Sequence, residues 1–187
     1  TKGRIYIAME YVEGGSLHRY LQAKGKLSPR ETISIFTQVC SALMAIHDAQ
    51  IVHRDIKPEN ILIAKGGLVK LTDFGLAKIG DSRVTRTGAV MGTPCYMAPE
   101  QVLGKETDPR TDIYATGLVM YQCLTGTLAF DGEDVLEKQL NYTPPSPRSL
   151  VPEIPENLDK IVMKCIEKDP QSRYSSARDL LSDLKQG

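Results

Sequence analysis

Apolar positions fall in short runs early in the chain and in long helical stripes later. Ile5, Tyr6, Ile7, Ala8 and Met9 predict a short strand over 5–9. Glu13-Gly14-Gly15 interrupts it, and Ser16 is a suitable cap for a short helix over 17–23. Ser28-Pro29-Arg30-Glu31 is a stronger start: Ser28 can cap, Pro29 suits the first helical position, and Glu31 can return a bond to the cap. Ile33, Phe36, Val39, Cys40, Leu43, Ile46 and His47 then recur with a helical period, predicting a helix to about residue 48. Ile61-Leu62-Ile63 and 68–71 flank the turn Lys65-Gly66-Gly67, which predicts a hairpin. Residues 76–97 have no period and read as a long loop, usually functional in a compact domain. From 112 to 125 nearly every residue is apolar, the mark of a buried central helix, with Gly126 suited to end it. Prolines crowd 143–155 into a connector, and amphipathic helices are predicted over 155–168 and 176–185. The fold class is mainly α: a helical bundle around a buried central helix, with a small β patch.

Composition narrows the class. At 187 residues the chain can bury one sizeable core or two small ones. Hydrophobic residues at 41% and charged residues at 25% are ordinary for a globular protein. Lys+Arg and Asp+Glu balance at 23 each, so bulk charge argues for no nucleic-acid partner and no anionic membrane. No apolar run approaches the ~20 residues of a membrane span. The four cysteines (Cys40, Cys95, Cys123, Cys165) are far apart without C-x-x-C, against a disulfide framework or zinc site and in keeping with a cytoplasmic location. The opening Thr1-Lys2-Gly3-Arg4 lacks a signal-peptide pattern and reads as cut from a longer parent.

The chemistry concentrates in His53-Arg54-Asp55-Ile56-Lys57-Pro58-Glu59-Asn60, where Pro58 prevents a helix. For an isolated Asp55 a solvated loop carboxylate is the simplest reading. A general base must reach a hydroxyl proton and stay ionised, which a neighbouring Lys57 favours. Spacing tips the balance. Asn60 lies five residues after Asp55, and Asp73 opens Asp73-Phe74-Gly75 thirteen residues further on. An amide oxygen and a carboxylate at facing ends of a β patch can hold a hard divalent cation. Ala98-Pro99-Glu100 closes the long loop.

These motifs, in this order and spacing, resemble the eukaryotic-type serine/threonine protein kinases. The resemblance implies the C-terminal lobe of an α+β kinase fold, with 1–15 as the last N-lobe strand and hinge and 16–187 as the C-lobe. It implies that Asp55 is the catalytic base, that Lys57 neutralises the transferred phosphoryl group, and that Asn60 and Asp73 ligate Mg²⁺. Met9, Glu10 and Val12 match the gatekeeper and hinge that read the adenine of ATP, and Leu62 matches the apolar floor under it. His53 and Phe74 match packing residues of a regulatory spine. Asp112, Glu100 and Arg173 match structural ionic ties. Lys57 and Gly92-Thr93-Pro94-Cys95-Tyr96 imply Ser/Thr specificity, with Thr93 bonding the catalytic Asp and Lys.

Arg54 matches a residue that pairs with a phosphate on the loop between Gly75 and Glu100. Ala89 stands where that phosphate is usually carried, so autophosphorylation is expected at Thr85 and Thr87, with a kinase–kinase dimer as its vehicle. Val90-Met91-Gly92-Thr93-Pro94-x-Tyr96-Met97-Ala98-Pro99-Glu100-Gln101 resembles bacterial members, whose membrane tether would lie outside this chain. No G-x-G-x-x-G, strand lysine or helix C occurs in the 187 residues, so the chain is expected to bind ATP weakly and turn over poorly alone. The expected partners are proteins offering Ser/Thr hydroxyls. The alternative is a non-catalytic, protein-binding scaffold.

Overall fold

The computed structural model describes residues 9–73 and 94–186. Its elements are β1 (Gly14–Ser16), α1 (Leu17–Lys24), α2 (Pro29–Asp48), β2 (Ile61–Ala64), β3 (Val69–Leu71), α3 (Pro99–Val102), α4 (Pro109–Thr125), α5 (Val135–Asn141), α6 (Pro147–Leu150), α7 (Glu156–Cys165) and α8 (Ala177–Gln186). The fold is mainly helical with a small antiparallel sheet, as the patterning indicates.

α2 begins as its capping signals dictate. Ser28 Oγ accepts from Glu31 N, and Glu31 Oε2 accepts from Ser28 N at 3.0 Å. Lys24 also bonds the Glu31 carboxylate, and Lys24 and Ser28 together hold its pKa down at about 2. The central helix starts earlier than the apolar run suggests. Asp108 caps it by accepting from Arg110 N, and Pro109 occupies its first turn. α4 is buried on nearly every side, and Gly126 closes it in the left-handed region at φ 78°. α4 lies against α2, α6 and α7, while α2 also covers β3 and α8.

Two expectations change. The Gly14-Gly15-Ser16 stretch is a strand, not a break: it pairs antiparallel with β2, so the sheet has three strands in the order β1-β2-β3. Gly14, at φ 155°, is required there, because a Cβ would meet the Ile63 carbonyl oxygen at 2.1 Å. The connector at 143–155 contains the short α6, capped by Ser146, and α5 precedes it without any clear stripe in the sequence. The strand expected over 5–9 lies outside the described residues apart from Met9.

Cys40, Cys123 and Cys165 are buried core residues on α2, α4 and α7. Burial raises all three thiols, Cys40 to about 12. Among the described residues, no helix is long and apolar enough to cross a membrane.

Candidate active site

The site is built on the loop between α2 and β2 and fastened from below by α4. Asp112, one turn into α4, is fully buried. Its Oδ2 accepts from His53 N at 2.8 Å, and its Oδ1 accepts from Arg54 N at 2.7 Å. His47 Nε2, at the end of α2, stands 2.8 Å from Oδ2. One carboxylate thereby satisfies two loop amides and ties three elements together.

His53 is buried, and its two ring nitrogens have different partners. Nε2 lies 3.0 Å from the Thr72 carbonyl, and Nδ1 accepts from Asp55 N at 3.3 Å. These partners assign the neutral tautomer with hydrogen on Nε2. Burial lowers the imidazole pKa, opposed by the charges of Asp112 and Asp55.

Asp55 follows Arg54, whose φ of 67° is left-handed and unusual for a non-glycine residue. The Asp55 carboxylate sits between two donors. Lys57 Nζ is 3.0 Å from Oδ2, and Asn60 Nδ2 donates to the same oxygen at 3.1 Å and to the Asp55 carbonyl at 2.8 Å. The 3₁₀ turn over Pro58–Asn60 folds Asn60 back to make these bonds, as a proline in its first position favours. Asp55 and Lys57 face a shallow crevice that Tyr96, Met97 and Gln101 close from the other side.

The hairpin brings in the second acidic group. β2 and β3 pair Ile61 with Leu71, and Thr72 N donates to the Asn60 carbonyl at 3.0 Å. Asp73, one residue further, is exposed and left-handed at φ 61°. Asn60 Oδ1 accepts no hydrogen bond among the described residues, although the residue is buried. Amide and carboxylate oxygens are the ligand types that hard divalent cations take. Among the described residues there is no group of three His, Cys, Asp or Glu side chains that could hold a metal ion.

The other sequence-derived positions lie around this centre. Met9 is exposed, Val12 is half-buried, and Glu10 is paired with Lys70 Nζ at 2.6 Å. Leu62 is half-buried on β2, opposite Ser16 and Lys70. Arg54 Nε donates to Thr107 Oγ1 at 2.9 Å. Glu100 and Arg173 form a buried bidentate pair, with Nη1–Oε1 and Nη2–Oε2 both 2.9 Å. Phe74, Thr85, Thr87 and Thr93 lie outside the described residues.

Three residues that shape the site were not singled out by sequence reasoning. His47 looked like part of an apolar helix face; an imidazole in such a stripe, shortly before the acidic loop, was the available signal. Gln101 donates to the Arg54 carbonyl at 2.9 Å. Gln139 on α5 donates to the carbonyls of Pro94 and Cys95 and accepts from Tyr114 Oη at 2.6 Å. Gln101 enters the sequence reading only as the last residue of the bacterial-type motif, and nothing local marks Gln139.

A family model for the protein kinase domain matches residues 1–184. The serine/threonine-protein kinase PrkC of Bacillus subtilis is 43% identical over 184 residues, covering 96% of this chain and 28% of that protein. The probable serine/threonine-protein kinase PknB of Corynebacterium glutamicum is 43% identical over 189 residues, covering 96% and 29%. The serine/threonine-protein kinase pkn3 of Myxococcus xanthus is 39% identical over 197 residues, covering 98% and 36%. The chain thus spans between 28% and 36% of the length of these relatives.

Proposed function

The chain belongs to the protein kinase domain family, and we propose that the protein carrying it transfers the γ-phosphoryl group of ATP to Ser/Thr hydroxyls of other proteins. The observation that carries the proposal is the Asp55 carboxylate held between Lys57 and Asn60, on a loop whose amides are fastened to buried Asp112. Asp55 orients the substrate hydroxyl and accepts its proton as the oxygen attacks phosphorus. Lys57, 3.0 Å from that carboxylate, brings a cation to where negative charge develops on the transferred group. Loose phosphoryl-transfer transition states need positioning and positive charge above all, and a pre-tied loop supplies both without rearrangement.

Asn60 and Asp73 would hold Mg²⁺, which when bound offsets charge on the phosphate oxygens. His53 keeps its neutral form and fills the space under the loop. The segment 9–13 serves as hinge, with Met9, Glu10 and Val12 toward the adenine and Leu62 beneath it. Residues 1–15 and 16–187 are read as hinge strand and lobe. Arg54 serves as the partner of a phosphate at Thr85 or Thr87, added in trans within a dimer. Four free cysteines and dependence on ATP suit the cytoplasm. The scaffold alternative is not favoured, since the relatives are named as kinases.

The test is steady-state phosphotransfer by the full-length protein on Ser/Thr peptides. Asp55→Asn is expected to lower kcat by about 10²–10⁴ while leaving ATP affinity within about twofold. A wild-type protein that transfers no phosphate, or an Asp55→Asn variant as active as wild type, overturns the proposal.

A further inference from the structure

Gln101 lies on α3 directly after Glu100 and has no part in the chemistry above. Both ends of its amide are used. Oε1 accepts from Ala98 N at 3.0 Å, and Nε2 donates to the Arg54 carbonyl at 2.9 Å. The first bond is half of a capping box, in which the side chain at the third helical position accepts from the N–H of the cap residue, Ala98. The second is unrelated to capping and crosses 47 positions of sequence to the catalytic loop.

The residue it reaches is the strained one. Arg54 holds φ at 67°, a conformation costly for a residue with a side chain, which persists only where the surroundings enforce it. α4 grips its N–H through Asp112 Oδ1, at 2.7 Å, and α3 grips its C=O through Gln101. The Arg54 carbonyl and the Asp55 nitrogen belong to one planar peptide unit. Turning that plane swings the Asp55 Cα, and with it the carboxylate that Lys57 and Asn60 flank.

We infer that Gln101 is a positioning residue for phosphoryl transfer: by holding the Arg54 carbonyl it sets the direction of the Asp55 carboxylate, and through Ala98 it ties that direction to the segment closing the far side of the crevice. The inference rests on the reading of Asp55 as the base. Placement of the segment ending at Ala98 is then coupled to the aim of the base through one amide.

Gln101→Glu separates this role from capping alone. A carboxylate still accepts from Ala98 N, so a residue that merely caps would leave stability and turnover intact. It cannot donate to the Arg54 carbonyl, and it sets two acceptors against each other. In the full-length protein, Gln101→Glu and Gln101→Met are expected to lower kcat about tenfold, with KM for ATP and peptide within about twofold. Amide exchange at 53–57 accelerates in both variants, while exchange in α2 and α4 stays at the wild-type rate. Unchanged kcat in Gln101→Glu overturns the inference, as does exchange that accelerates throughout the protein. If wild type transfers no phosphate, it is the kinase reading that fails. Exchange at 53–57 then decides the positioning role alone, and unchanged exchange in both variants overturns it.

Discussion

Glu100 and Arg173 stand 73 positions apart in sequence and meet in a bidentate pair almost wholly out of water. Thr111 Oγ1 adds a bond to Glu100, and Arg173 also donates to the carbonyls of Glu167, Lys168 and Arg110. Removing one partner strands a buried charge, so Glu100→Leu and Arg173→Met are each expected to cost about 3–5 kcal/mol in urea unfolding. The double variant should lose clearly less than the sum; strictly additive losses would contradict the pairing. Burial pushes the Glu100 carboxyl up, but the Arg173 guanidinium outweighs it, and the net pKa lies below the usual 4.5. Its contribution is therefore present above pH 4.5 and fades as pH falls through the lowered value, giving wild type a steeper acid limb than Glu100→Gln. Asp112 follows a different logic, because its partners are two backbone amides and one histidine rather than a single counter-charge.

Among the elements, α4 is the one on which the others depend. It presents Asp112 to the amides of His53 and Arg54 from its first turn and buries its length against α2 and α7. The close approach to α7 is made at Gly117, where a Cβ would fall 2.5 Å from Cys165 Cβ and 2.7 Å from Ile166 Cγ2. Gly to Ala inside a helix normally stabilises by about 1 kcal/mol. Here overpacking of about 1–3 kcal/mol opposes that gain. Gly117→Ala is expected to lose the usual gain and be destabilised by a net ~0–2 kcal/mol in denaturant titrations. A stabilised variant would show that α4 and α7 sit farther apart than described. The hairpin of β2 and β3 is smaller, and its register continues into the bond from Thr72 N to the Asn60 carbonyl, one residue before Asp73.

Across the whole molecule, one apolar core runs from α1 through α2 and α4 to α8, and polar ties cross it at few points. Lys168 is one of them. Its Nζ donates to Tyr114 Oη at 3.0 Å and to the Lys138 carbonyl at 3.3 Å, and lies 4.2 Å from the Phe130 ring centroid. Burial, helped by the nearby Arg173 charge, lowers its ammonium to about 8 from the usual 10.5. The unfolded chain thus binds more protons here between pH 8 and 10.5, and this group makes stability rise with pH across that window. Lys168→Met should flatten that rise relative to wild type when unfolding free energy is followed against pH. An identical slope in both would remove Lys168 from the account.

Most helices were legible in the residue order, because burial of one face imposes a period that a single stretch displays. α2 and α8 show this, and α4 shows the limit where every face is buried. Asp55, Lys57 and Asn60 were legible for a related reason: they lie within six positions, and Pro58 forces the turn that gathers them. β1 was not, since Gly14-Gly15-Ser16 is a strand only because β2 lies alongside it. The same holds for His47 on Asp112, Gln101 on the Arg54 carbonyl, and Gln139 on the carbonyls of Pro94 and Cys95. Periodicity records which side of an element avoids water. A polar side chain's partner is chosen by what packing brings within about 3 Å, and only the folded chain determines that distance.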